Sequence, residues 1–207
     1  MMQFSYLTLP MRLVATLCIF TTLSAQAWSA ATANPVGGSA THSGTTPASK
    51  ADTNASVSPE RAVETAARFF DPLLEDAKTN AEKANILHQR GVLYLRSNCR
   101  DQALADLNRA VQLLPQNSDE RSDLLFHRAC VFLLLPTPDT EAALSDINIC
   151  LSLSPSDVEA LIVRGEAYQL SGKTALANAD FARAALLAPK GDAAIRAMLQ
   201  NARNRKR

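Results

Sequence analysis

Two residues have the types and spacing of a reactive pair, His127 and Cys130, three positions apart. At that spacing they share one face of a helix, as a nucleophile and its general base would. Such a pair also needs a third polar group to orient the imidazole, and the sequence indicates none. We therefore predict that the chain is not an enzyme and has no catalytic residue.

The cysteines and the short motifs give no sign of a metal or cofactor site. Cys99, Cys130 and Cys150 match neither the spacing of zinc ligands nor that of haem attachment. The sequence also lacks a Gly-rich phosphate loop, a His-Glu-x-x-His motif and a Cys-x-x-Cys motif. We expect no metal and no cofactor. Cys130 and Cys150 either form a disulfide between two helices or remain small buried core residues.

Composition favours a helical, globular protein without a polyanionic partner. Of the 207 residues, 47% are apolar, 20% are charged and only 5% are aromatic. Ala and Leu are abundant, and both are strong helix formers. The net charge is +1, so no global polarity indicates binding to nucleic acid or to an anionic surface.

The N-terminus has the pattern of a signal peptide, residues 1–27. One basic residue, Arg12, precedes an apolar stretch at 13–23, and Ala25-Gln26-Ala27 has the small-x-small form of a cleavage site. We predict export, in bacteria to the periplasm, with no stable membrane insertion after cleavage. The alternative is an uncleaved N-terminal anchor, although the apolar stretch is shorter than the roughly 20 residues of a membrane span.

Residues 28–57 are rich in Ala, Ser, Thr and Pro without apolar periodicity, which predicts a flexible linker. A lead-in helix is predicted over 58–78. Ser58 is a suitable N-cap and Pro59 a suitable first residue. Pro72 is expected to stop or kink this helix.

Two further features of this region matter for the fold. Phe69 and Phe70 are predicted to lie on the apolar face of the lead-in helix. That helix either packs on the element that follows or folds into a groove of the repeats. Thr79, with Glu82 three residues later, predicts a capping box and the start of a new helix.

One pattern then occurs three times, with small residues, large residues and a closing proline at matching places. The copies read Arg90, Gly91, Tyr94, Ala103, Leu107, Ala110, Pro115; then Arg128, Ala129, Phe132, Ala143, Ile147, Cys150, Pro155; then Arg164, Gly165, Tyr168, Ala177, Phe181, Ala184, Pro189. Small residues at these places allow two helices to approach closely, and the large residues fill the space beside the contact.

This pattern resembles the tetratricopeptide repeat, whose unit is about 34 residues long. The resemblance covers residues 79–189 and implies an all-α fold, a right-handed superhelix (α-solenoid) of antiparallel helix pairs. The repeats are placed at about 84–117, 122–157 and 158–191. Leu107 and Ile147 depart from the aromatic residue of the family pattern.

Residues 192–207 are predicted to form a capping helix and a basic tail. The tail carries Arg203, Arg205, Lys206 and Arg207. Helix-dipole stabilisation and ordinary solvation account for these charges better than nucleic-acid binding does.

Each copy also carries an arginine before the small residue of its first helix and an aspartate in its second helix. The pairs are Arg90 with Asp106, Arg128 with Asp146, and Arg164 with Asp180. In an antiparallel helix pair the two charges can meet, so we expect a salt bridge within each repeat. The alternative is that both side chains are solvated and independent.

The resemblance also implies a concave groove lined by the first helix of each pair. Transferred onto this sequence, the partner-binding residues are His88, Val92, Leu95, Asp123, Phe126, Cys130, Leu133, Glu159, Ile162, Glu166 and Gln169. The predicted groove is apolar with an acidic edge. Such a surface suits an amphipathic helix or an extended apolar segment with basic flanks.

Some members of the family clamp the C-terminal carboxylate of a chaperone with Lys, Asn and Arg. The matching positions here hold His88, Val92, His127, Glu159 and Val163, so that clamp is absent. We therefore expect a scaffold or adaptor in the cell envelope that binds another protein or peptide. The alternatives are a self-associating repeat protein, a homo-oligomer, and an accessory subunit of an envelope enzyme complex.

Overall fold

The computed structural model describes residues 58–116 and 118–205. The predicted signal peptide and linker lie outside these residues. Every regular element in the described part is an α-helix. The helices are α1 Pro59–Asp76, α2 Asn80–Arg96, α3 Arg100–Leu113, α4 Asp119–Leu134, α5 Thr140–Leu153, α6 Val158–Leu170, α7 Thr174–Leu187 and α8 Ala193–Asn204. None of these helices is long and apolar enough to serve as a membrane span.

The helices α2 to α7 pack as consecutive pairs, α2 with α3, α4 with α5, and α6 with α7. The second helix of each pair packs on the first helix of the next, and α8 packs on α6 and α7. Short turns join the partners, so each pair is antiparallel and the whole is a linear stack. The prediction of an all-α solenoid is confirmed. The predicted repeat limits stay a prediction.

Helix α1 begins as the sequence indicates. The Ser58 hydroxyl accepts a hydrogen bond from the Arg61 amide, and Pro59 is the first helical residue. Pro72 was predicted to end or kink the helix. It does not end it, because α1 continues to Asp76. Pro72 removes only the donor to the carbonyl of Arg68, and Arg68 is exposed to water that can replace it.

The buried face of α1 consists of Ala62, Ala66 and Phe70. The placement of Phe69 on that face is wrong, since 64% of the residue is exposed. Adjacent residues of a helix point about 100° apart, so only one of the two phenylalanines can face the neighbouring helix. Helix α1 packs on α2, which selects the first of the two predicted alternatives.

The predicted capping box at the start of α2 is confirmed. The Thr79 hydroxyl accepts from the Glu82 amide at 3.1 Å, and the Glu82 carboxylate accepts from the Thr79 amide at 3.0 Å. The same carboxylate accepts from the Lys78 amide at 2.7 Å. These backbone hydrogen bonds lower the pKa of Glu82 and fix where the stack of pairs begins.

The close contacts within each pair fall at the small residues. A Cβ atom added at Gly165 would lie 2.5 Å from Cε1 of Phe181, and one at Gly91 would lie 3.0 Å from Cγ of Leu107. In the middle pair Ala129 occupies this place opposite the slimmer Ile147, and both are fully buried. The size of the residue on the second helix therefore matches the space that the first helix leaves.

The predicted arginine–aspartate pairs are present in all three helix pairs. Arg164 donates to the Asp180 carboxylate from Nε at 2.7 Å and from Nη2 at 2.8 Å. The other two pairs, Arg90 with Asp106 and Arg128 with Asp146, are bidentate in the same way, with nitrogen-to-oxygen distances of 2.6–2.9 Å. The three aspartates are only 4–7% exposed, so these are not solvated surface pairs.

Each of these arginines also reaches back to the preceding second helix. Nη1 donates from Arg90 to Asp71 on α1, from Arg128 to Asn108 on α3, and from Arg164 to Asn148 on α5. We call these three arginines and their partners the arginine ladder. Asp71 takes the place of Asn108 and Asn148, so α1 stands where the second helix of a pair would stand. No described helix precedes it.

The ladder predicts strong coupling between Arg164 and Asp180. We expect Arg164→Met and Asp180→Asn each to lower the free energy of unfolding by about 2–3 kcal/mol, because each leaves a largely buried partner uncompensated. Urea unfolding followed by circular dichroism should give a coupling energy of about 1–3 kcal/mol in a double-mutant cycle. Asn178→Ala, an exposed change on the same helix, is the control. A coupling energy of zero would contradict the ladder.

A second prediction concerns the fit at Gly165. Gly165→Ala forces a methyl group against the Phe181 ring, so we expect it to lower the free energy of unfolding by about 1–3 kcal/mol. Combining it with Phe181→Ile recreates the Ala129–Ile147 pair of the middle repeat. The double variant should therefore be less destabilised than the sum of the two single variants. Strict additivity in thermal or urea unfolding would refute this account of the packing.

Candidate functional site

The structure gathers the predicted groove residues on three neighbouring helices. They lie on α2, α4 and α6, the first helices of the three pairs, and α4 contacts both α2 and α6. We call this set the first-helix face; its members are His88, Val92, Leu95, Asp123, Phe126, Cys130, Leu133, Glu159, Ile162, Glu166 and Gln169. Their role in binding stays a prediction.

The apolar members of the first-helix face are more deeply buried than an open groove would require. Val92 and Leu95 are 5% and 4% exposed, and the remaining apolar members have no exposed surface. All but Val92 belong to the continuous hydrophobic core. Only four polar members are half-buried and partly reachable from solvent; these are His88, Asp123, Glu159 and Gln169.

Glu166 is the exceptional member of this face, because it is a carboxylate with only 1% of its surface exposed. Its Oε1 atom lies 3.3 Å from Nη1 of Arg205, which directly follows α8. Nη2 of Arg205 donates to the backbone carbonyl of Leu133 at 3.0 Å. The side-chain amide of Gln169 donates to the backbone carbonyls of Arg203 and Arg205. The C-terminal end of the described chain thus folds back onto the first-helix face.

This contact corrects the sequence interpretation of the basic tail. Helix-dipole stabilisation and solvation do not describe Arg205, since its guanidinium is bonded to a buried acid 39 residues earlier in the chain. The partner could not be found from local patterns. The signal in the sequence was the glutamate itself, which occupies the place held by Val92 and Cys130 in the other two copies.

Burial dominates the electrostatics of this part of the face. Loss of solvent raises the pKa of Glu166 from 4.5 to about 7, even though the charge and hydrogen bond of Arg205 act in the opposite direction. The pKa of the Cys130 thiol is raised well above 9.0, first by burial and then by the nearby Glu166. Cys130 is therefore a neutral thiol near neutral pH and does not provide a nucleophilic thiolate.

His127, the second member of the reactive pair considered above, is fully buried in a histidine contact. Its Nδ1 lies 2.8 Å from the backbone carbonyl of Asp123 and 2.9 Å from Nε2 of His88. Because a carbonyl oxygen can only accept, a hydrogen bond to the Asp123 carbonyl requires the proton on Nδ1 of His127. The imidazole is thus positioned by two contacts on Nδ1.

Cys99, Cys130 and Cys150 form no disulfide in the described part of the chain. Cys130 and Cys150 are fully buried, and the Cys150 thiol donates to the carbonyl of Ser122 at 3.2 Å. Of the two interpretations of this pair, the structure therefore favours small buried core residues over a disulfide. The described residues contain no group of three or more His, Cys, Asp or Glu side chains arranged to hold a metal ion.

No protein-family model and no curated protein sequence matches the chain. A similar solved structure is the first TPR of Spaghetti (RPAP3) bound to HSP90 peptide SRMEEVD. It is 24% identical, with a TM-score of 0.49, over 60% of this chain and 94% of that chain. The likeness concerns the helical fold, which the packing of the helix pairs already establishes.

The buried carboxylate predicts a specific dependence of stability on pH. Below about pH 4.5 the group is protonated in both states; above it the unfolded chain ionises first, so the folded state loses stability up to about pH 7. Glu166→Gln removes this loss and should raise the free energy of unfolding at pH 8 by about 1–3 kcal/mol, with much less gain at pH 5.

Urea unfolding at the two pH values measures this difference. Glu64→Gln, an exposed change on α1, is the matched control and should alter stability by less than about 0.5 kcal/mol at either pH. Equal effects of Glu166→Gln at pH 5 and pH 8 would show that the carboxyl is not buried as described.

Proposed function

We propose that this protein is a non-enzymatic adaptor that binds a segment of a partner protein on its first-helix face. The observation that supports this proposal most is the side-by-side arrangement of α2, α4 and α6, which brings half-buried polar side chains together on one face. Stacked helix pairs commonly use such extended faces for binding. The ladder residues lie in the packing between helices, which leaves this face available for another role.

The charges of the face favour a partner with basic groups. Asp123, Glu159 and Glu166 all lie on it, and Asp123 and Glu159 are accessible at its edge. Carboxylates repel an acidic segment and attract a basic one. Because the apolar members of the face are buried in the core, basic groups on the partner are the feature that this face can recognise.

We further propose that the protein acts in the cell envelope after export, on the strength of the signal-peptide pattern at 1–27. The periplasm of a bacterium is the compartment that best fits this pattern. An uncleaved N-terminal anchor would leave the same face in the same compartment. Action as an accessory subunit of an envelope enzyme complex is one form that the adaptor role can take.

A separate observation favours self-association as the second candidate function. Large apolar side chains are exposed on the second helices, away from the first-helix face: Leu186 at 85%, Leu153 at 56%, Leu176 at 49% and Ile149 at 42%. Exposed apolar side chains on the second helices are available for contact with a second copy of the chain. Light scattering of the purified chain separates a monomeric adaptor from a stable oligomer.

Photo-crosslinking in the producing cells tests the proposed function directly. With p-benzoylphenylalanine at Asn85 or Glu159, on first helices, we expect adducts with a second polypeptide in the envelope fraction. The same label at Leu176 or Arg183, exposed on α7, is the matched control and should give none. Adducts of the chain with itself from the α7 positions alone would favour self-association, and equal adducts from both faces would refute a specific first-helix site.

A further inference from the structure

Glu166 and the end of α4 together form a small site with the chemistry of a cation receptor. The carboxylate is buried, and the carbonyl of Leu133 lies in the last turn of α4, where backbone oxygens have no donor within the helix. The negative end of the helix dipole adds to the attraction for a positive charge. A guanidinium suits this site, since it presents several donors in one plane.

Arg205 occupies this site incompletely. It donates to a single oxygen of Glu166 at 3.3 Å, and the other oxygen, Oε2, is buried without a hydrogen bond in the described part of the chain. By contrast, Arg164 saturates both oxygens of Asp180 at 2.7 and 2.8 Å. The same two chemical groups therefore make a complete pair in the ladder and an incomplete one here.

Packing does not explain why a carboxylate occupies this position. The equivalent places in the other two helix pairs hold Val92 and Cys130, which are buried without any charge. A buried acid with an unsatisfied oxygen destabilises the fold relative to such residues. Groups kept at the expense of stability commonly serve function.

The contact of Arg205 can also be released without dismantling the fold. Arg205 lies beyond the end of α8, whereas α8 is held on the stack by buried residues further upstream, Ile195, Met198, Leu199 and Ala202. The Arg205 side chain is 27% exposed, so a competing group can approach it from solvent. Release leaves the Glu166 carboxylate and the Leu133 carbonyl without the guanidinium that contacts both.

We propose that Glu166 and the Leu133 carbonyl bind an arginine side chain of the partner, and that Arg205 holds this site until the partner's guanidinium displaces it. The inference rests on the proposed function and specifies its partner, which carries an arginine. An incoming arginine that reaches both oxygens of Glu166 gains the hydrogen bond that Arg205 does not make. Binding is then a competition between the tail and the partner.

A peptide copy of the tail tests this site without knowledge of the partner. The probe is a fluorescein-labelled peptide of residues 200–207, and its binding to the full chain is measured by fluorescence anisotropy. We expect Arg205→Ala to bind the probe at least about tenfold more tightly than the unchanged chain, because the competing guanidinium is gone. Adding Glu166→Gln to that variant should reverse the gain.

Two matched controls exclude general attraction of a basic peptide. Glu141→Gln in the Arg205→Ala background removes an exposed carboxylate elsewhere and should leave the affinity unchanged. A probe in which citrulline replaces the arginine at position 205 keeps the shape, loses the charge and should bind about tenfold more weakly. Equal affinity for all variants, or no binding to Arg205→Ala, would overturn the inference.

Crosslinking separates this inference from the proposed function. If Glu166→Gln does not affect the partner adducts at Asn85 or Glu159, the result supports the adaptor role and contradicts the arginine site. Adducts that decrease with Glu166→Gln and increase with Arg205→Ala support both. Probe binding that depends on Glu166, without any partner adduct, would retain the site and contradict the adaptor role.

Discussion

The two-pronged hydrogen bonding of Arg90, Arg128 and Arg164 to buried aspartates is the interaction on which the arrangement of helices depends. Contacts between Ala, Gly and Leu are close but only weakly directional, so they allow helices to slide against one another. A guanidinium bound to a carboxylate fixes angle and position together. Since each arginine also reaches the preceding second helix, one side chain sets the register within a pair and between pairs. Removing one partner of such a buried pair leaves an uncompensated charge, so the pair ties stability to this arrangement of helices.

Much of the fold could be predicted from the sequence because its determinants are local and repeated. The spacing of small and large residues indicated the helix pairs, and the recurrence of arginine and aspartate indicated their salt bridges. The bond from Arg90 to Asp71 could not be anticipated, since it joins different units and α1 has no first helix ahead of it in the described residues. The prediction that Pro72 ends the helix was wrong for a reason that the sequence does not show. The backbone carbonyl that loses its hydrogen-bond donor to Pro72 faces water.

The candidate site was predictable in position but not in accessibility. Family resemblance places Phe126, Leu133 and Ile162 on the first-helix face, whereas their burial depends on how neighbouring elements pack. Exposure is a property of the assembled molecule, and no periodicity within one helix reports it. The pairing of Glu166 with Arg205 is a contact of the same kind, between residues far apart in sequence. The sequence nevertheless shows that Glu166 differs in type from the residues at the two matching positions. Glu166 is the residue that makes this contact.

Arginine and carboxylate therefore serve two purposes in one chain, and hydrogen-bond completeness distinguishes them. In the ladder Asp106, Asp146 and Asp180 each accept two short bonds, as expected of a contact that has only to hold helices in place. At Glu166 the acid is more deeply buried than any ladder aspartate, yet one oxygen has no hydrogen bond in the described part of the chain. A structural role alone would favour the saturated arrangement or an apolar residue. An incomplete pair at the edge of the proposed binding face is the arrangement that leaves hydrogen-bonding capacity available for an incoming partner.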